Sequence, residues 1–352
     1  MKLIYKPLIA IILASSCSLF AQKRNEKDQT SLVKFVQREA DNRVDVLIGG
    51  KLFTSYQWLD TVYKPILYPI LTASGNHVTR GFPIEPREGE RRDHIHHAGN
   101  WLNYGNVNGY DFWGNGHEGK RSVNGGQIKH LGILKLSGGK GEGVLLAKAS
   151  WIDPSGKELL AENTEFHFID RGSTRIIDRI VTLKASGGAV SMKDTKEGSF
   201  GIRVARQLEL PSKQDLTLKD AKGNATTVKR MENDIPTGNY LSSEGDEGEG
   251  VWGKRAKWMS LYGNIGDEKV SLVICDHPKN LSYPTYWHAR GYGLFAANPF
   301  GVKDFTNKKE ELNYSIPAGG TLKLRYRILI SSGTQLSDKE INGYLKDFAS
   351  KY

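Results

Sequence analysis

Cysteine is nearly missing from this chain: two residues in 352, at positions 17 and 275. If an N-terminal segment carrying Cys17 is removed, one thiol remains and no intrachain disulfide can form. No CxxC or Cys/His cluster offers a structural zinc site either, so packing must hold the fold. Long apolar runs are scarce too, and beyond the first residues none approaches the ~18 needed to span a membrane as a helix. Strand–helix alternation, the mark of a parallel α/β sheet, is lacking, and no repeat of fixed period is present. Negative charge is in deficit. Lys and Arg number 49 against 39 Asp and Glu, a formal net charge of +10. That excess suits a polyanionic partner. With no recognisable nucleic-acid-binding motif, acidic polysaccharide fits it better than DNA or RNA, although a basic surface kept for solubility gives the same balance.

The N-terminus supplies the one strongly apolar stretch. Lys2 and Lys6 precede LIAIIL at 8–13, small residues follow, and a polar run starts at Gln22. This order reads as an export signal cut between Ala21 and Gln22, with a lipobox-like LASSC ending at Cys17 as the alternative. Loss of Lys2 and Lys6 with residues 1–21 would leave +8. The expected organisation is a signal at 1–21, a flexible lead-in at 22–42 and a single domain at 43–352. The mature protein is expected to be exported, periplasmic or secreted, with no transmembrane segment.

Short alternating stretches separated by turn residues dominate the rest. Segments 44–50, 127–136, 143–152, 164–169, 174–183, 269–275 and 321–330 read as strands, with turn signals such as Asp153-Pro154-Ser155-Gly156 between them. Only the C-terminus has helical spacing: Ser337 and Glu340 form a capping box ahead of Ile341, Tyr344, Leu345 and Phe348. The pattern predicts an all-β protein, a large antiparallel β-sandwich with long site-bearing loops and a C-terminal helix. The irregular stretches 63–126, 231–257 and 277–310 hold the unusual residues, and long loops on a rigid scaffold are where sites gather.

Five of the nine histidines (77, 94, 96, 97 and 117) fall within 41 residues. If 93–97 is extended, His94 and His96 share a face and His97 takes the other. Two histidines on one face suit a proton-transfer pair or a metal. A divalent metal would need further ligands from Asp93, His117, Glu118 or His288. Purely structural histidines are the third reading. The run that follows, with Asn100, Trp101, Asn103, Tyr104, Asn106 and Trp113, has the composition of a sugar-binding surface, in which rings cover a pyranose and amides read its hydroxyls. The same residues would also serve as core beneath a loop. In 284–301, Tyr286, His288 and Arg290 alternate and share one face of an extended segment. In 196–207, Glu197 and Arg203 stand out, Arg203 either as an anion clamp or bound to a structural carboxylate.

DHIHHAGNWLNYGNVNGYDFWG, KEGSFGIRVA, WGKRAKWM and DHPKNLSYPTYWHARGYGLFAANPFG, in this order, resemble the PmoA-like family of exported bacterial proteins. The similarity runs from about residue 45 to 335. The family's name borrows from a methane mono-oxygenase subunit, but this chain lacks the membrane spans that such a subunit needs. The resemblance implies a place in polysaccharide utilisation and a dehydratase role on ulvan-type oligosaccharides that carry uronic acids. It supplies no catalytic list, so roles follow from chemistry.

Dehydrating a uronate removes the proton alpha to the carboxylate and expels the beta hydroxyl. An arginine fork can offset the carboxylate charge as an enediolate develops, a histidine can take the proton, and a tyrosine or second histidine can protonate the leaving oxygen. Arg203 or Arg290 is the candidate clamp, His94, His96 or His97 the base, and Tyr104, Tyr286 or His288 the acid, with His96 and His288 leading. Asn100, Trp101, Asn103, Asn106, Trp113 and Glu197 would bind the ring. This mechanism needs no cofactor. A glycoside hydrolase using two of Asp93, Asp111, Glu118 and Glu197, and a non-catalytic binding module, are the rivals.

Overall fold

In the computed structural model, residues 30–114, 122–212 and 235–352 are described, together with the backbone of two short strands at 216–219 and 225–228. The expected signal, the first part of the lead-in, His117 and Glu118 lie outside the described residues.

The strands in chain order begin with β1 (Leu32–Arg38), β2 (Arg43–Ile48), β3 (Lys51–Gln57), β4 (Ile66–Ile70), β5 (Asn100–Tyr104), β6 (Gln127–Ser137) and β7 (Gly139–Lys140). They continue with β8 (Glu142–Ile152), β9 (Glu158–Arg171), β10 (Thr174–Ala185), β11 (Val190–Met192), β12 (Gly198–Arg203), β13 (Leu216–Lys219) and β14 (Ala225–Val228). Then come β15 (Asn239–Ser242), β16 (Trp258–Ile265), β17 (Glu268–Asp276), β18 (Tyr286–Arg290), β19 (Leu294–Asn298), β20 (Tyr314–Ile316) and β21 (Thr321–Ser332). A helix, α1 (Asp338–Lys351), closes the chain.

Two antiparallel sheets take most of these strands. One has nine, in the order β18, β19, β12, β5, β4, β3, β2, β1, β7; the other has eight, in the order β15, β16, β17, β21, β10, β9, β8, β6. Alternation turns one side of each toward the other, and aromatic rings from both meet in the core. Phe35 and Phe53 lie 6.0 and 6.4 Å from Phe168, and Phe200 stacks on Tyr326 at 4.5 Å. Phe53, Phe168 and Phe200 are fully buried and each contribute about 1.5–3 kcal/mol. The all-β sandwich is therefore as the sequence predicted. The lead-in differs: residues 32–38 pair with β2 and β7 as β1, because Val33 and Phe35 have apolar neighbours to join.

The outer faces of the sheets are treated differently. Helix α1 covers that of the eight-stranded sheet, laying Ile341, Leu345 and Phe348 against Ile169, Trp258 and Leu329. Its capping box is formed, with Ser337 N–H donating to Glu340 Oε2 at 2.8 Å. The nine-stranded sheet instead carries irregular segments and a smaller apolar cluster around Trp101, Trp113 and Leu294. The candidate site lies there.

Candidate active site

Strand alternation decides which side chains leave the core. On β18, Trp287 and Ala289 join the sandwich core, which sends His288 and Arg290 to the outer face. On β5, Leu102 and Tyr104 go inward and Trp101 outward. Above this outer face is a cavity of about 580 Å³, lined by His94, His96, His97, Asp111, Trp113, Lys196, Glu197, Glu249, His288, Arg290, Tyr292 and three glycines.

All three clustered histidines reach the cavity because 93–97 is a turn; an extended segment would have sent His97 to the other face. His94 has φ of +43°, in the left-handed region, and His97 N–H donates back to His94 O at 2.9 Å. Buried cations hold the carbonyls of this turn. Arg80 donates to the carbonyl oxygens of Asp93, His94 and His97 at 2.9–3.0 Å, and Lys64 Nζ to that of His96 at 2.6 Å.

Asp93 is the electrostatic hub. Its Oδ1 accepts from Arg80 and Arg203, each at 2.8 Å, and Oδ2 lies 3.1 Å from His94 Nδ1. Burial pushes its carboxyl up, but the His94 contact and the Arg203 and Arg80 charges outweigh that and hold it well below the usual range. Asp93 is thus an anion held beside the His94 ring. The His94 side chain remains 40% exposed, open to a ligand.

The rings form a column. Trp101 stacks on His97 (5.4 Å, 11°), His97 on His94 (4.8 Å, 5°) and His94 on Tyr292 (5.3 Å, 7°), while His96 meets His97 edge-on at 4.3 Å. Gly201 on β12 makes room for the base of this column, since a Cβ there would lie 2.6 Å from the Trp101 ring. Arg203 reaches the column from the side, its guanidinium 4.8 Å from the Tyr292 ring and donating to His97 Nδ1 at 3.3 Å. A guanidinium only donates, so the His97 proton sits on Nε2. Burial, then the charges of His96 and Arg203, keep His97 neutral far below its ordinary range.

His288 is also neutral. Its Nδ1 lies 2.9 Å from Lys196 O and carries the proton, so Nε2 is an acceptor. Burial and the Arg290 charge pull it down to about 3 against that hydrogen bond. Tyr292 shifts the other way: burial raises its hydroxyl, although Arg203 and Arg290 draw it down, so it keeps its proton at neutral pH. Arg290 lies 4.4 Å over the Trp252 ring, which braces it by a cation–π contact.

Several expected residues sit elsewhere. Arg203 is fully buried behind the wall with its donors on Asp93 and His97, so it positions the histidines and does not clamp a ligand. Tyr104 donates to Lys193 O at 2.8 Å inside the core, and Tyr286 packs on Phe305 at 5.4 Å, away from the cavity. Neither is placed to act as the acid. The amides of Asn100 and Asn103 are spent on the Gly201 and Phe112 carbonyls at 2.9 and 2.7 Å, and Asn106 caps a turn at Gly109. Trp101 is buried under His97. Of the expected sugar surface, only Trp113 lines the cavity, along with Glu197.

Sequence reasoning passed over Lys64, Arg80, Lys196, Glu249 and Tyr292. Tyr292 had a signal, since it continues the alternation of His288 and Arg290 by two more residues. Arg80 and Lys64 had none, being lone cations in an irregular stretch. Among the described residues, no three His, Cys, Asp or Glu side chains are grouped to hold a metal. Asp93, once a possible ligand, is occupied by arginines.

Residues 43–346 match the family of unknown function DUF6807. No curated protein matches the sequence. Among solved structures, the galactosidase domain of alpha-galactosidase-sucrose kinase AgaSK is similar at 9% identity and TM-score 0.37, over 85% of this chain and 41% of that one. The GH36 alpha-galactosidase AgaB from Geobacillus stearothermophilus is similar at 11% identity and TM-score 0.40, over 88% and 42%. A galactose mutarotase related enzyme from Lactobacillus acidophilus matches at 10% identity and TM-score 0.26, over 86% and 98%. The chain spans about two-fifths of either galactosidase chain. Likeness at these scores says nothing about chemistry.

Proposed function

The chain belongs to DUF6807, a family of unknown function, and we propose from its site that it is a carbohydrate lyase that dehydrates a uronic-acid-bearing oligosaccharide. The observation that carries this reading is the Asp93–His94 couple stacked on Tyr292 in a cavity that also holds Lys196 and Arg290. A base, a proton donor and two cations are what β-elimination beside a carboxylate requires.

In this mechanism Arg290 and Lys196 hold the uronate carboxylate, and Trp113 covers the ring. His94 Nε2 takes the proton from C5. The electron pair released forms the C4–C5 double bond as the C4–O bond breaks, and the Tyr292 hydroxyl gives its proton to the departing oxygen, which leaves as water. The imidazolium then returns a proton to the tyrosinate, restoring both groups. His288 Nε2 accepts a hydrogen bond from a sugar hydroxyl. Asp93 stabilises the imidazolium, and Arg203 and Arg80 hold Asp93 in place. The ulvan-type substrate, the exported location and the place in polysaccharide utilisation implied by the PmoA-like resemblance belong to the same proposal.

The test is to mix the purified protein with uronate-ended oligosaccharides from sulfated algal polysaccharide. Ultraviolet absorbance then reports the unsaturated uronate, and a second assay reports new reducing ends. A rise in absorbance without new reducing ends supports dehydration. A second reading, glycoside hydrolysis, is favoured by Asp111, Glu197 and Glu249, which all line the same cavity and supply the carboxylates that such enzymes pair. New reducing ends without absorbance would favour it.

A further inference from the structure

Behind the cavity, Lys64 is 3% exposed, an unusual place for an ammonium group. Its Nζ donates to the His96 carbonyl at 2.6 Å and lies 5.4 Å from the Trp101 ring. Trp101 in turn meets Trp113 edge-on at 5.5 Å. Beside Trp113, Asp111 Oδ1 accepts from the N–H groups of Trp113 and Gly114 at 2.8 and 2.9 Å. Lys64 therefore bears on the histidine turn directly and on the Asp111–Trp113 turn through the Trp101 ring.

We propose that Lys64 is a positioning residue that ties these two turns together from behind, and that release of its proton loosens the cavity and weakens ligand binding. Burial favours the neutral amine and brings Lys64 down to about 7, against the pull of Asp111. Besides Asp111 and His96, the titratable groups near it are Asp60, Lys129 and His130, which line a small pocket together with it. His130 is held neutral by burial, down to about 4, so it does not change charge in the same range. As pH rises through neutrality, the tie to the His96 carbonyl changes from a charge-assisted hydrogen bond to a weaker amine one.

The inference rests on the cavity being the ligand site, but its first test does not. The full chain, labelled with ¹³C at lysine Cε and ¹⁵N at tryptophan, is titrated by NMR, with Lys64→Arg assigning the lysine signal. Lys64 is expected to titrate near neutrality, and the Trp101 and Trp113 indole signals to shift with the same midpoint. In Lys64→Arg, whose charge is fixed, those indole shifts should vanish. Lys64→Met provides the same comparison if the arginine does not fit. A Lys64 midpoint in the ordinary lysine range, or indole shifts that persist in both variants, would overturn the proposal. Calorimetry with an oligouronate should then show affinity falling about three- to tenfold across the midpoint in the wild type and flat in Lys64→Arg. Failure to bind at any pH would refute the proposed function and leave the NMR result standing.

Discussion

Lowering the pH should cost this protein stability through His288 in a way that one substitution removes. The imidazole is 3% exposed, donates from Nδ1 to the Lys196 carbonyl, and is held down to about 3 by burial and by Arg290. In the unfolded chain it titrates near 6.5. Between these values the unfolded state binds a proton that the folded state refuses, so stability rises with pH across the window and falls as pH drops through it. At 1.36 kcal/mol per pH unit, acidification from about 6.5 to about 4 costs roughly 3 kcal/mol from this group. Asparagine can keep a donor near the Lys196 carbonyl without taking up a proton. Urea unfolding of wild type and His288→Asn at pH 7, 5.5 and 4, followed by tryptophan fluorescence, isolates the effect from the carboxylates, which titrate in both proteins. The wild type should be the more stable at pH 7, and the gap should narrow by about 3 kcal/mol at pH 4. A gap that stays constant across the range would refute the claim that His288 is buried neutral.

Three further outcomes follow from the packing and the site. Arg203→Lys cannot serve both Asp93 and His97, so the buried His97 Nδ1 loses its donor. We expect about 1–3 kcal/mol of lost stability in a denaturant melt, with a fall in turnover that Arg290-mediated binding does not rescue. Gly201→Ala drives a methyl into the Trp101 ring and should cost about 1–3 kcal/mol; a crystal structure of the variant would show the Trp101–His97–His94 column displaced. Ser337→Ala removes the cap of α1 and should lower stability by about 1 kcal/mol without changing ligand affinity, because α1 packs on the other sheet.

Much of the sandwich was legible because period-two alternation is a local property. Residues 174–183 and 321–330 read as strands from their own side chains, and they pair along almost their full length as β10 and β21. The same periodicity put His288 and Arg290 on one face. What escaped were partnerships between distant segments. Asn100 and Asn103 have the composition of a sugar reader, but their amides are consumed by carbonyls that only the folded sheet brings near. For Arg203 a clamp and a structural ion pair were both open; the second holds, but nothing in its own segment revealed the partner, Asp93, 110 residues away. The turn at 93–97 has no local signal, because no glycine marks His94, whose left-handed backbone is held by a buried arginine from elsewhere in the chain.

The central claim is that His94 and Tyr292 act as base and acid on a uronate. Proton NMR of the substrate C5 position in D₂O, with wild type, His94→Ala and Tyr292→Phe, tests it most directly. Wild type should form the double bond. Tyr292→Phe should exchange the C5 proton for deuterium with little elimination, and His94→Ala should do neither, losing about 10²–10⁴ in rate. Elimination at near wild-type rate in His94→Ala would contradict the account.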